Sequence, residues 1–538
     1  MPLRPLNREQ TWLLPPTLDE LIPDDHPARF VAAFVDNLDR DIWVEMGTGL
    51  DGEALGAPAY HPRGLLGVWL YGFMTGTRSS RKLEAACRDQ VPYLWLTGWQ
   101  HPDHNTLWRF YREHRVFMRR LFKHTVRTAV NIGLVDLALQ AIDGTKVAAN
   151  ASKYRTYDAV QLQRLLERTE AAIKDLEVQN ETGDDPPPPH LPQELAQAQR
   201  LRAEVKAAME RLATEEGRER INLTDGDAQL MKGRQGIVVG YNMQAVVSPV
   251  KVEGGEGSSL LITGIDVVKD ENDVSQLVPM LEQAEDMTEK RARLSVADAG
   301  YHSGANLEAC EQREQKIVMP ETQGWALQSP YHKDRFTYEA TSDIYFCPQG
   351  QTLRFTIVKR KSDTMMRLYR ASGKVCRACP AFGICTRDGR SGRALEIGPH
   401  EAALRRHREL MVTQEALAAY RQRKELSEPV FGILKEQMGL RRFLTRGLNN
   451  VIAEATMIAT AFNLRTLCKA WHRNVKEKWY RLNEALSMLG MQASASCLCQ
   501  LVPISTSWRP SAIATECCNA HIPLMLTATQ GTLATLLC

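Results

Sequence analysis

Residues 137–143 read LALQAID, and GTK continues the run to residue 146. A short apolar segment of this kind, closed by a carboxylate, predicts a β-strand with Asp143 at its C-terminal end. Similar runs follow: YNMQAVVS at 241–248, SLLITGIDVV at 259–268, LSVAD ending on Asp298, and KIVMP at 316–320. The helix-patterned ANLEACEQR, residues 305–313, separates the last two. Strands followed by helices, with carboxylates at two strand ends, predict an α/β sheet whose chemistry lies along one edge.

Further on, residues 428–446 read EPVFGILKEQMGLRRFLTR. Seven residues are close to two helical turns, so Glu428 and Lys435 share a helix face. A solvated ion pair satisfies that spacing, and so does a site that holds metal and phosphate. Pro429 is tolerated in a first helical turn, which predicts Glu428 near a helix start with Ser427 as its cap. Among rival carboxylates, Asp266 falls within a strand, and Asp270 and Asp273 in the turn VKDENDVS fit helix caps. Glu425 and Glu436 point away from the Glu428 face, and Glu454, in an apolar helix, calls for an arginine partner inside the fold.

Three acids from distant positions, Asp143, Asp298 and Glu428, are a sufficient oxygen-ligand set for Mg²⁺. Two such ions about 3.5–4 Å apart, with Mn²⁺ as a substitute, activate an attacking oxygen and stabilise a leaving one in phosphoryl transfer. Lys435 suits phosphate positioning, and Arg441, Arg442 and Arg446 match phosphate geometry. Tyr301 and His302 lie next to Asp298, and His302 reads equally as an ordinary turn histidine.

Upstream, residues 1–135 predict a helical domain, with HPARFVAAFVDNL and HPRGLLGVWLYGFMTG as apolar helices. Residues 101–130 predict one long amphipathic helix, buried through Leu107, Tyr111, Met118, Leu121, Thr125 and Ala129. Its other face carries Arg112, Arg119 and Lys123 among further cations, which suits either a phosphate backbone or a solvated surface. Two segments interrupt the sheet. Residues 158–220 predict an antiparallel helical hairpin around NETGDDPPPPHLPQ, and residues 325–395 form an aromatic, polar, cysteine-bearing segment. There Cys376-x2-Cys379-x5-Cys385, with Cys347 upstream, has the count for a structural zinc site; free thiols are the alternative, and no thioredoxin-like unit supports a redox role. Residues 449–471 predict a buried helix, and the Ser-, Thr- and Cys-rich chain from about 492, within a tail of 471–538, predicts poor order.

Composition excludes little. The 538 residues, 43% hydrophobic and 24% charged, allow two or more domains. A net charge of +3 is too mild to indicate a nucleic-acid partner, so that case rests on local clusters. The chain shows neither a signal-peptide core nor an apolar run read as membrane-spanning, which predicts a cytoplasmic protein. Clustered cysteines in such a chain favour metal or thiols over disulfides.

Asp143 in AIDGTK, Asp298 in DAGY, and a third block of Tyr420, Arg423, Glu428 and Lys435 resemble the three signatures of bacterial insertion-sequence transposases of the DDE class. The third block has four residues between Arg423 and Glu428 where the usual signature has three. YHPRGLLGVWLYGFMTGTRSSRKLE, PDHNTLWRF, GYNMQAVV, CPQG, CRACPAFGICT and FLTRG extend the resemblance over most of residues 20–470, closest to the eleven-eighty-two group. The resemblance implies an RNase H-like catalytic core across 136–470, with the hairpin and the cysteine segment as insertions. It implies Asp143, Asp298 and Glu428 as Mg ligands, with Tyr301 and Arg423 at the DNA. It further implies a partner of double-stranded DNA, both element ends and target, bound by a homodimer or larger assembly. The rival expectations are a DNA-binding protein that has lost catalysis, and an RNase H-like nuclease without strand transfer.

Overall fold

A computed structural model describes residues 17–48, 59–182, 191–233, 236–251, 259–321, 329–361 and 364–488, with side chains to residue 473. Met1–Ala470 forms one compact unit and Trp471–Cys538 a second. The tail beyond residue 492, expected to lack order, lies outside the described residues, as does the proline-rich run at 183–190.

Among the described residues the first α-helices are α1 (Pro27–Asp36), α2 (Arg40–Glu45), α3 (Pro62–Met74), α4 (Ser80–Asp89), α5 (Val91–Leu96), α6 (His104–Glu113) and α7 (Met118–Asn131). His-Pro pairs start two of them. His26 Nδ1 accepts the Ala28 N–H at 3.1 Å and His61 Nδ1 the Arg63 N–H at 3.2 Å, while Pro27 and Pro62 need no N–H at the first helical position. The long helix expected over 101–130 is instead two, α6 and α7. A 3-10 turn at Arg115–Phe117 divides them and buries Phe117, and the predicted stripe from Leu107 to Ala129 is buried across both.

The central sheet holds β1 (Gln140–Ala148), β4 (Gln229–Gly233), β5 (Gly236–Pro249), β6 (Leu260–Val268), β7 (Ser295–Val296) and β8 (Ile317–Val318); β2 (Thr156–Asp158) and β3 (Arg220–Asn222) pair separately. Its order is β4-β5-β1-β7-β8, with β6 also on β5. β5 runs antiparallel to β1, β4 and β6, whereas β7 runs parallel to β1 and to β8. β1 does not stop at Asp143: the long partner β5 carries pairing through Ala148↔Gly240, which leaves Asp143 in mid-strand. Asp298 does lie just past the C-terminal end of β7.

The hairpin is α8 (Ala159–Thr182) against α9 (Leu191–Thr214), closed around fully buried Leu162 and Val205. Then come α10 (Leu277–Thr288) and α11 (Gly304–Gln312). The second insertion contains five strands that the sequence reading did not name: β9 (Thr337–Glu339), β10 (Ile344–Phe346), β11 (Thr352–Lys361), β12 (Thr364–Arg370) and β13 (Ala394–Ile397), in the order β13-β12-β11-β10-β9, with α12 (Gly373–Arg377) after β12. The last helices among the described residues are α13 (Glu401–Met411), α14 (Gln414–Gly432) and α15 (Leu448–Met488).

Glu428 is not at a helix start. Thr413 caps α14 by accepting the Ala416 N–H, so the helix begins well upstream and Pro429 falls inside it. An internal proline removes one helical hydrogen bond and crowds the preceding turn; the chain follows it within one turn by a π-helical stretch at Ile433–Gln437. Within α15, Leu448–Arg473 has the length and apolarity to cross a membrane, contrary to the sequence reading, but 89% of its most apolar window is buried inside the fold. Its Asn463 side chain accepts the Ile262 N–H at 2.9 Å and donates to the Ile262 carbonyl at 2.8 Å, satisfying backbone on β6 as a neighbouring strand would.

Candidate active site

Side chains alternate along β1, so Asp143 and Thr145 point to one face of the sheet and Gly144 and Lys146 to the other. The first face is covered by α14, which also packs on β5, β7 and β8. Arg423 Nη1 stands 3.1 Å from Asp143 Oδ2, with both side chains largely buried. One turn later Ser427, fully buried, donates its hydroxyl to the Arg423 carbonyl at 3.1 Å and lies near enough to the same carboxylate to hold its pKa down. Beyond it Lys435 donates to Thr145 Oγ1. The face over β1 is therefore Arg423 and Ser427 of α14 with Lys435 of the π-helical stretch that follows it. Glu428, one position round the helix, is exposed and enters no described hydrogen bond or ion pair.

Burial raises the pKa of Asp143, and the Asp298 carboxylate adds to the rise; Ser427 and Arg423 oppose it. The two acids are thus within electrostatic reach of each other. Asp298 Oδ1 accepts the Gly300 N–H at 2.8 Å, which fixes its carboxylate at the tip of β7.

The opposite face holds a polar network that the sequence reading missed. Asp273 occupies a cap position yet makes no capping bond. Its Oδ1 instead accepts from Asn242 Nδ2 and Gln244 Nε2, each at 2.7 Å, with Lys146 at 3.7 Å. Tyr301 is fully buried and donates its hydroxyl to Gln244 Oε1; burial first, then Asp273, Asp143 and Asp298, pushes its pKa far up. Glycine at 144 makes room for this packing, since a Cβ there would stand 2.5 Å from Gln244 Nε2 and 2.9 Å from Asp273 Oδ1. Tyr301 is accordingly a wall residue behind the two acids. The available signal was the polar pair Asn242 and Gln244, same-face neighbours inside an apolar strand.

Downstream of α14 the chain returns to β1: Arg442 bridges Ala148, and the Phe443 N–H donates to the Ala148 carbonyl at 2.9 Å. Arg441, Arg442 and Arg446 are exposed there; Arg441 pairs with Glu436, and Arg446 Nε donates to the Asn150 carbonyl at 3.0 Å. The other predicted cations are elsewhere. Arg119 is 3.7 Å from Asp266 and Lys123 is 2.6 Å from Asp286, where α7 meets α10, and Arg112 is exposed on α6. The ring of His302 lies 5.6 Å from that of buried His407, and burial lowers the His302 pKa.

Cys347, Cys376, Cys379 and Cys385 line one cavity of about 20 Å³. The Gln351 N–H donates to Cys347 Sγ and the Arg393 N–H to Cys376 Sγ, each at 3.3 Å. Burial raises the Cys385 thiol; Arg393 opposes the rise and the other three sulfurs add to it, which marks all four as near neighbours. Among the described residues, no three His, Cys, Asp or Glu side chains already stand at metal-holding separations.

Two stretches match known families: residues 16–113 match the family described as "Transposase domain (DUF772)", and residues 346–468 the family described as "Transposase DDE domain". The second match contains Glu428 and Lys435; Asp143 and Asp298 lie outside it. No curated protein matches the chain.

Proposed function

We propose, from the premise that the chain belongs to the insertion-sequence transposases of the DDE class, that it cuts the ends of its own element and joins them to target DNA at Asp143, Asp298 and Glu428. What supports this reading is that Arg423 of α14 pairs with Asp143 and Lys435, just past α14, reaches Thr145 on the same strand, with Asp298 within electrostatic reach of Asp143. Three strands antiparallel to one another, then two parallel to the central one, support an RNase H-like core.

The site's donors fit a hard divalent cation. They are carboxylate oxygens, and the buried one, Asp143, is costly to keep charged without positive charge beside it, which Arg423 supplies here and a cation would add to. Asp143 and Asp298 would hold Mg²⁺, with Glu428 as the third ligand from α14. Bound metal supplies charge neutralisation at phosphate oxygens and an activated water. Arg423 and Lys435 orient the scissile phosphate, and Arg441, Arg442 and Arg446 grip the flanking backbone. Water first breaks a P–O3′ bond at the element end and frees a 3′ hydroxyl. That hydroxyl then attacks a target phosphate, forming one P–O bond and releasing the target's own 3′ oxygen. Two ends must be joined, so the acting unit is a homodimer or larger, working on DNA in the bacterial cytoplasm.

Replacing Asp143→Asn, Asp298→Asn or Glu428→Gln should lower end cleavage by at least ~10²-fold, as loss of a charge-stabilising group does, and leave end binding intact. A labelled-duplex assay with Mg²⁺ or Mn²⁺ measures both. Wild-type rates in all three variants would refute the assignment. Cleavage without a joined product would favour a simple nuclease, and binding without cleavage an inactive descendant.

The sulfur cavity supports a structural zinc. Four thiols supply the donor set of a four-cysteine site, with room between them for about one water-sized particle and two backbone N–H groups donating to sulfur around it. Protein purified without chelator should carry stoichiometric zinc, lost in Cys376→Ser with a lower melting temperature. Metal analysis finding none in the wild type would contradict this.

A further inference from the structure

β11 and β12 form a ribbon that leaves the sheet it starts in. β10 pairs with β11 only at Thr352, Leu353 and Arg354, and β13 pairs with β12 only from Arg367 to Arg370. Between those limits the two strands pair only with each other, from Lys359↔Met366 to Lys361↔Thr364. Every residue from Arg354 to Lys361 is exposed, so both faces of β11 meet solvent.

A strand normally gains its stability by burying one face, and an isolated hairpin is marginal in water. This ribbon nonetheless exposes Phe355, Ile357, Val358 and Met365. Its charge is one-sided: Arg354, Lys359, Arg360, Lys361, Arg367 and Arg370 stand in β11 and β12, and Asp363, between the two strands in sequence, is the one acid from 352 to 370. The whole chain carries a formal charge of only +3, and this stretch alone carries +5. Neighbouring acids offset part of it. Glu396 lies 2.8 Å from Lys361 and 4.0 Å from Lys359, and Asp343 pairs with Arg367. Lysines that blunt a free edge against aggregation would explain some of these cations. They do not explain alternation, which turns Lys359 and Lys361 to one face and Arg360 to the other.

We propose that this ribbon is a second duplex-DNA-binding element, outside the acidic site, with Lys359, Arg360 and Lys361 on backbone phosphates and the exposed apolar side chains toward the groove. A two-stranded ribbon fits the major groove, which is about 12 Å wide. Cations on both faces meet phosphates on both groove walls. The inference rests on the transposase reading for its partner, and on the ribbon's geometry for its place.

The test uses the full chain and a fluorescent duplex of mixed sequence across a KCl series. The triple variant Lys359→Gln, Arg360→Gln, Lys361→Gln should flatten the log–log salt slope by roughly 2 to 3, about 0.9 for each lost phosphate contact. At fixed low salt its affinity should fall at least ~10-fold. Lys359→Arg with Lys361→Arg should keep the wild-type slope, and both variants should melt as the wild type does, because all three side chains are exposed. An unchanged slope and affinity in the folded triple variant overturns the ribbon alone. Failure of the wild type to bind duplex at any salt overturns both this proposal and the transposase reading.

Discussion

Glu454 is 2% exposed within an apolar helix, and four donors meet it: Arg78 Nη1 at 2.6 Å, the Leu444 and Thr445 N–H groups at 3.0 Å, and Thr445 Oγ1 at 2.8 Å. Arg78, 6% exposed, also donates to the Gly439 and Arg442 carbonyls. The pair thus pins the segment that carries Arg441, Arg442 and Arg446. Removing one partner of a buried pair leaves the other charge unpaired, so Glu454→Ala should cost about 3–5 kcal/mol in urea unfolding. A loss below ~1 kcal/mol, the scale of exposed pairs such as Arg441–Glu436, would show that the pair is dispensable. An arginine partner for Glu454 was legible because a charge amid apolar neighbours has few other fates. Ser427 was not legible, because its place beside Asp143 depends on the phase of α14, which Thr413 sets fourteen residues upstream.

Elements were readable where burial is one-sided or complete. The five runs ending with KIVMP all contain strands of the central sheet, and the hairpin around 183–190 follows its apolar stripe. Ends were less readable. β1 outruns Asp143 because β5 supplies a partner as far as Gly240, and partner length is not written in a strand's own residues. The strands of the second sheet escaped notice for a related reason. β11 is exposed on both faces past Leu353, so no alternation of apolar and polar residues marks it. Asp273 was misread because it does sit where a cap would, while its carboxylate turns to Asn242 and Gln244 on β5.

At the scale of the whole molecule, charge is partitioned in a way that composition conceals. The cations of α7 are paired with acids, Arg119 with Asp266 on β6, Arg120 with Glu45 on α2, Lys123 with Asp286 on α10 and Arg127 with Glu289 just past it. The arginines after α14 and the cations of the β-ribbon lie on exposed surface. Asp143 lies in β1 beneath α14 and Asp298 just past β7, within electrostatic reach of it, and the central claim is that they hold metal there. Fe²⁺ in place of Mg²⁺, with ascorbate and peroxide, releases hydroxyl radicals that cut the chain beside the bound ion. The account predicts cuts next to residues 143, 298 and 428, suppressed by excess Mg²⁺ and absent in Asp143→Asn. Cuts only elsewhere, or cuts indifferent to Mg²⁺ and to that substitution, would contradict it.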